Sequence, residues 1–573
     1  MKKLIQLIIA AALITCLVSC GGGNTDSASP PTAQTDTGKV QGAVRNGVIE
    51  YRGIPYAEAP VGHLRWALPV SKAAWSGTLD ATNFGSACPQ QSRYSGLTDS
   101  STTEDCLSIN VTVPADIKPG ERLPVIFWIH GGAYVGGSSN LYRLDKLANQ
   151  GRVIVVSPNY RIGILGFMPL TPLKGQLVNG NFGLEDQRLA MRWVQRNIAA
   201  FGGDASNVTL AGESAGAASI CAHLTAPEAT DALFHKAIVM SFGCLAPMKS
   251  MDDIFTEVSG PVESDSKYLN CSGSGEALLQ CLRNKSVEEI LQTQGKFTAD
   301  NATNPRLANP FFTVYGTKSV PNVTMPRSFK EALDTQHLRN VPLLIGGAKN
   351  ELGLYVGYFW QANQANPNAP PINASSVERF WLPFFYGNNS TVVSGQYEPT
   401  VGWSKATDNQ SAEILSQALS DHNPLIGFSG CLYLHTYNSI RQYPGASPLY
   451  VYEFADPDAL VNGVGITEPY PPFPLGPVHS SILNYVFPNY SNNSKMNAQS
   501  LPDASEALSL KIVDAWTRFA TTGKPSMTGV TNWPTYSGGS SVMKLIPNQV
   551  GLFNADEAHR CSSFWKGLYP GSL

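Results

Sequence analysis

Residues 208–220 read Val208-Thr209-Leu210-Ala211-Gly212-Glu213-Ser214-Ala215-Gly216-Ala217-Ala218-Ser219-Ile220. A short β-prone run enters Gly-x-Ser-x-Gly, and a run of small residues suited to a helix leaves it. A turn that sharp brings the backbone at 212 and 216 against neighbouring elements, so neither position has room for a side chain. Ser214 is then pushed out at the start of a helix, where backbone N–H groups and the helix dipole favour negative charge. At ordinary glycine and serine frequencies, chance yields the pattern about 0.2 times in a chain this long. The strand–turn–helix setting, more than the pattern itself, makes Ser214 a candidate nucleophile.

Similar runs flank this stretch on both sides. Pro124–Ile129 stops at His130-Gly131-Gly132, and Val153–Ser157 stops at Pro158-Asn159. Ala237–Met240 ends near Ser241-Phe242-Gly243, and Val341–Ile345 ends at Gly346-Gly347. Short runs that are apolar throughout and bounded by glycine predict strands buried on both faces of a parallel sheet. Helical stretches such as Leu184–Phe201 and Ala215–Leu224 lie between them. The fold class is therefore α/β, a large and mostly parallel central sheet flanked by helices. In such sheets chemistry gathers at the carboxyl ends of the strands.

The N-terminus is read separately. Lys2 and Lys3 precede Leu4–Val18, an apolar run shorter than the ~20 residues of a membrane span. Leu17-Val18-Ser19-Cys20 followed by three glycines resembles a bacterial lipobox. Residues 1–19 are thus expected to be a lipoprotein signal peptide, with Cys20 lipidated and residues 20–37 a flexible Gly/Ser/Thr/Pro tether. Residues 38–573 read as one domain, exported and lipid-anchored to the bacterial cell envelope, at the outer membrane. Its membrane contact is expected through that lipid alone. Losing Lys2 and Lys3 takes the formal charge from −3 to −5, which argues against a nucleic-acid partner. Eight cysteines follow Cys20, an even number that favours disulfides in an exported chain, and none shows the spacing of a zinc site.

A serine hydroxyl needs a base within hydrogen-bond reach, and a third group to orient that base. With the order serine, acid, histidine, the candidates for the base are His337, His422, His435, His479 and His559. His435 lies in a helical pattern, His559 sits beside Cys561, and His337 precedes the candidate acid. His479, on a loop after Pro471–Pro477, ranks first by position, with His422 behind it. Glu351 follows the run 341–345 and is placed to accept an imidazole N–H, although a glutamate there is ordinarily a solvated one. For the oxyanion, the small residues after strand 124–129 offer the N–H groups of Gly132 and Ala133, and Ala215 N–H is a third donor. No phosphate-cradling, dinucleotide or metal-ligand pattern competes, so neither metal nor cofactor is expected.

Taken together, these segments resemble the type B carboxylesterases, the family that includes the cholinesterases. The resemblance spans residues 38–573. It is carried by Arg52–Pro60, Phe84–Gln90, Glu104–Val111, Asn159–Gly163, Gly180–Leu189, Gly212–Gly216, Asp514–Pro525 and Cys561–Trp565. It implies an α/β-hydrolase fold with lid or cap insertions, and hydrolysis of a small-molecule ester by Ser214, His479 and Glu351. It also implies the disulfides Cys88–Cys106, Cys271–Cys281 and Cys431–Cys561, which leaves Cys221 and Cys244 to pair with each other. Glu213 and Ser241 are expected to support the catalytic residues from behind.

The chain departs from the family pattern in several places. The oxyanion turn reads Gly-Gly-Ala, Ile482 stands where a glutamate usually follows the histidine by three, and Ser241–Cys244 is altered. The Cys88–Cys106 segment has no tryptophan to hold a choline cation, so choline esters are not the expected substrate. Short- to medium-chain or aromatic esters are expected instead. Residues 355–386 carry nine aromatics, which suit either a lid core or a pocket mouth for lipids, polyesters or plant phenolic esters. A non-catalytic adhesion or binding protein on the same fold is the alternative of another class, and the intact serine, acid and histidine argue against it.

Overall fold

The computed structural model describes residues 30–91, 100–301, 310–461, 466, 468–491, 500–530 and 532–570. The expected leader and Cys20 lie outside the described residues. The apolar runs lie side by side in one eleven-stranded sheet. In chain order the strands are β1 (Ala43–Arg45), β2 (Val48–Pro55), β3 (Ser108–Pro114), β4 (Leu123–Ile129), β5 (Ile154–Pro158) and β6 (Gly203–Glu213). They continue with β7 (Lys236–Met240), β8 (Leu343–Ala348), β9 (Leu449–Phe454), β10 (Val542–Leu545) and β11 (Gly551–Phe553). Across the sheet the order is β11-β10-β9-β8-β7-β6-β4-β5-β3-β2-β1. From β5 to β10 neighbours run parallel, and both margins are antiparallel.

Every residue of β5, β7, β8 and β9 is buried. Side chains alternate between the faces of a strand, so burial throughout means that both faces are covered. Flanking helices include α1 (Phe182–Asn197), α2 (Ala215–Leu224), α3 (Gly353–Ala365), α4 (Asp408–Asp421), α5 (Gly430–Arg441) and α6 (Asp503–Thr522). Helix α6 shows how the sequence builds this layer. Leu508, Ile512, Trp516 and Phe519 recur at helical spacing and are buried, and the helix stops at Gly523 in the left-handed conformation. The buried face of α6 packs on β4 and β6.

One boundary differs from expectation. Within the segment expected as tether, Thr32–Gln34 pairs antiparallel with Lys39–Gln41, which pairs in parallel with Thr78–Asp80. Asp36 takes an ion pair from Arg196 at 2.6 Å, and its N–H donates to Asn197 Oδ1 at 2.7 Å. Backbone pairing and these two contacts on the end of α1 fold a stretch whose composition offers little apolar surface. All four disulfides form, including Cys221–Cys244. Among the described residues no helix is long and apolar enough to cross a membrane.

Candidate active site

The site is assembled at the carboxyl ends of the parallel strands. Ser214 follows β6 directly and precedes α2, with φ 57° and ψ −120°. Such a conformation costs a non-glycine residue about 1–3 kcal/mol, and the surroundings hold it. Ser214 N–H donates to Met240 O at the end of β7, and Ser241 N–H donates to Gly346 O in β8. The flanking glycines have no spare room. A Cβ on Gly216 would lie 2.0 Å from Ile129 O, and one on Gly212 would lie 2.7 Å from the Gly216 carbonyl carbon.

His479 and Glu351 meet this serine. Glu351, just past β8, is fully buried; its Oε1 accepts from Ala348 N–H at 2.7 Å and from Tyr433 OH at 3.0 Å. Its Oε2 lies 2.7 Å from His479 Nδ1, and His479 Nε2 lies 2.8 Å from Ser214 Oγ. Phe428 covers the imidazole, ring centres 4.3 Å apart. Burial disfavours the imidazolium, but the charges of Glu213 and Glu351 and the Glu351 hydrogen bond outweigh it, so the His479 pKa is raised.

Glu213 stands on the other side of the imidazole, with Oε1 3.4 Å from Nε2. Burial pushes its pKa up to about 7, against the opposing pull of His479 and of a hydrogen bond from Ser480. Ser241 lies at the end of β7, as expected, but its buried hydroxyl has no hydrogen-bond partner among the described residues.

The turn after β4 lies against Ser214. A Cβ on Gly131 would sit 3.2 Å from Ser214 Cβ. Gly132 and Ala133 have φ of 115° and 55°, which turns the chain sharply here. Tyr134, which the sequence reading passed over, locks the turn: its hydroxyl lies 3.0 Å from Ser219 Oγ, one turn into α2. His130 is neutral and structural. Burial pushes its pKa down to about 4, and its ring stacks on Tyr160. His422, second by position, is buried against Trp565 and Tyr569, and neither ring nitrogen has a hydrogen-bond partner among the described residues. The aromatics of 355–386 pack largely on one another, as in the Phe359–Trp381 stack with ring centres 4.4 Å apart, although Phe380 stays exposed.

This sheet, with a serine, an imidazole and a carboxylate hydrogen-bonded in line at its strand ends, defines an α/β-hydrolase. The profile described as the carboxylesterase family matches residues 29–564. The chain is 31% identical to a para-nitrobenzyl esterase of Bacillus subtilis (strain 168), covering 92% of this chain and 96% of that one. It is 30% identical to a cocaine esterase of Homo sapiens, covering 99% and 96% respectively. The solved structure of a thermophilic PNB esterase superposes with a TM-score of 0.68 at 30% identity, over 93% of this chain and 99% of that one. The chain belongs to the carboxylesterase family and is a serine carboxylic ester hydrolase.

Proposed function

We propose that Ser214, His479 and Glu351 act as nucleophile, base and orienting acid in two-step hydrolysis of short- to medium-chain or aromatic esters. His479 Nε2 takes the Ser214 proton as Oγ bonds to the ester carbonyl carbon. The oxyanion is held by the N–H groups of Gly132, Ala133 and Ala215. When the C–O bond to the alcohol breaks, the imidazolium returns that proton to the leaving oxygen. Water then attacks the acyl-serine by the same route, releasing the carboxylic acid and restoring Ser214. Glu351 keeps Nδ1 protonated and steadies the imidazolium.

The unbroken Ser214–His479–Glu351 line carries the reading. The aromatic preference is supported by a relative named for para-nitrobenzyl esters. The test compares wild type with Ser214→Ala on p-nitrophenyl acetate, butyrate and palmitate. Wild type should turn over the short esters, and the variant should lose at least about a thousand-fold in kcat. A folded wild type no faster than Ser214→Ala on every ester would overturn the assignment.

The same proposal places the enzyme on the cell envelope through a lipid on Cys20, which the four disulfides of an oxidising compartment support. Labelled palmitate should enter wild type and not Cys20→Ser; equal labelling would end that part of the reading.

A further inference from the structure

Ser480, the residue after the imidazole, is left without a role by the reaction as described. It has φ 67°, a left-handed conformation that strains a serine and that glycine adopts freely. That conformation turns its buried hydroxyl onto Glu213 Oε1 at 2.7 Å, the same oxygen that lies 3.4 Å from His479 Nε2. The other carboxylate oxygen is hemmed in by the oxyanion turn, since a Cβ on Gly131 would come within 3.0 Å of Glu213 Oε2. Ile482, two residues on, is buried in the apolar core and brings no polar group to the carboxylate.

Building on the esterase reading above, we propose that Ser480 is a positioning residue. Its hydroxyl holds Glu213 charged and aimed at His479, and so sets the pH range in which His479 works as a base.

The groups that share this environment are few. Glu351 faces His479 from the loop after β8, and Tyr142, Tyr452 and Tyr490 feel the Glu213 charge from three other segments. Burial holds all three phenols well above the ordinary tyrosine range, so they stay neutral wherever the histidine titrates. The titrating partners of His479 are thus the two carboxylates, and Ser480 donates to one of them. Without this donor a buried Glu213 ionises less readily, and the imidazolium loses a facing charge. The His479 pKa then falls, which moves the acid limb of kcat/KM to lower pH. The imidazolium formed during reaction also loses support, which lowers kcat.

Ser480→Ala removes the hydroxyl at unchanged backbone strain, and Ser480→Gly removes the hydroxyl and the strain together. Both should lower the acid-limb midpoint by about half a unit or more. On p-nitrophenyl acetate kcat should drop about tenfold with KM little changed. Adding Glu213→Gln to either should cost no more than the worse single change. Carbon-13 labelling of the histidine rings reads the His479 titration by NMR without any turnover. Ser480→Gly with a wild-type NMR midpoint and a wild-type acid limb would overturn the proposal. A shifted NMR midpoint in a protein that hydrolyses no ester would uphold the Ser480 link and overturn the esterase reading instead.

Discussion

At the scale of single residues, His479 is held between opposing influences, and the balance can be read in a rate. Burial favours the neutral ring, while two carboxylates on opposite sides favour the cation and hold its pKa above the ordinary histidine value of 6.5. In the proposed mechanism His479 must be neutral to take the Ser214 proton, so activity should be lost as pH falls through the raised pKa. We therefore expect the acid limb of kcat/KM for p-nitrophenyl acetate to have its midpoint above 6.5. A rate that is flat from about pH 5 to 8 would rule out a histidine base. Ser214 was legible because spacing and setting coincide in one continuous stretch. Glu351 was not legible from its own surroundings. Its burial depends on Ala348 N–H and on a tyrosine hydroxyl 82 positions away, which no local pattern encodes. Position ranked His479 above His422 without separating them; the distinction lies in the partners, and family resemblance had to supply it. Ser480 escaped notice because nothing in its neighbours announces a positive φ.

Among elements, apolar runs bounded by glycine gave the strands that matter, because a strand covered on both faces must be apolar along its length. Boundaries moved: β6 starts at Gly203, ahead of the apolar run at 208–211, since its first half lies partly exposed at the amino end. The strand at Thr32–Gln34 was hidden because its stability comes from backbone pairing, which composition does not record. A second element-level feature has no sequence signature either. His559, near the C-terminus, lies 2.7 Å from Asp421 at the end of α4 and 2.5 Å from Glu453 in β9. Burial opposes its charge, but the two carboxylates prevail and hold its pKa at about 10. This raised pKa contributes stability in full below the unfolded value near 6.5, and the contribution fades as pH climbs toward about 10. His559→Gln leaves the buried Glu453 without this cation and Asp421 with Arg560 alone, and should cost about 3 kcal/mol at pH 6. The gap in thermal midpoint between wild type and His559→Gln should narrow from pH 6.5 to 9.5. A gap independent of pH would mean that the imidazole is not charged in the folded protein.

Over the whole molecule, the cross-links differ most in how much chain they close. Cys271–Cys281 closes 10 residues beside the satellite apolar cluster around Phe255 and Leu282, whereas Cys431–Cys561 closes 130 and ties the start of α5 to the C-terminal segment. Within the latter span lie β9, His479, α6 and β10, so the bond encloses the proposed base and much of the sheet's second half. A cross-link restricts the unfolded chain roughly as the logarithm of loop length, which favours the longer loop by about 2 kcal/mol. For a protein this large the unfolding entropy is so great that the same energy moves the midpoint by about 2 °C. Cys431→Ala/Cys561→Ala should therefore melt about 2 °C below Cys271→Ala/Cys281→Ala when both are scanned at one rate. The longer bond also anchors the segment that carries His559, so its loss should add to that shift and speed thermal inactivation of the esterase. Equal melting of the two variants would show that the unfolded chain is already confined elsewhere, by the remaining disulfides or by residual structure, and that loop length does not set the worth of these bonds.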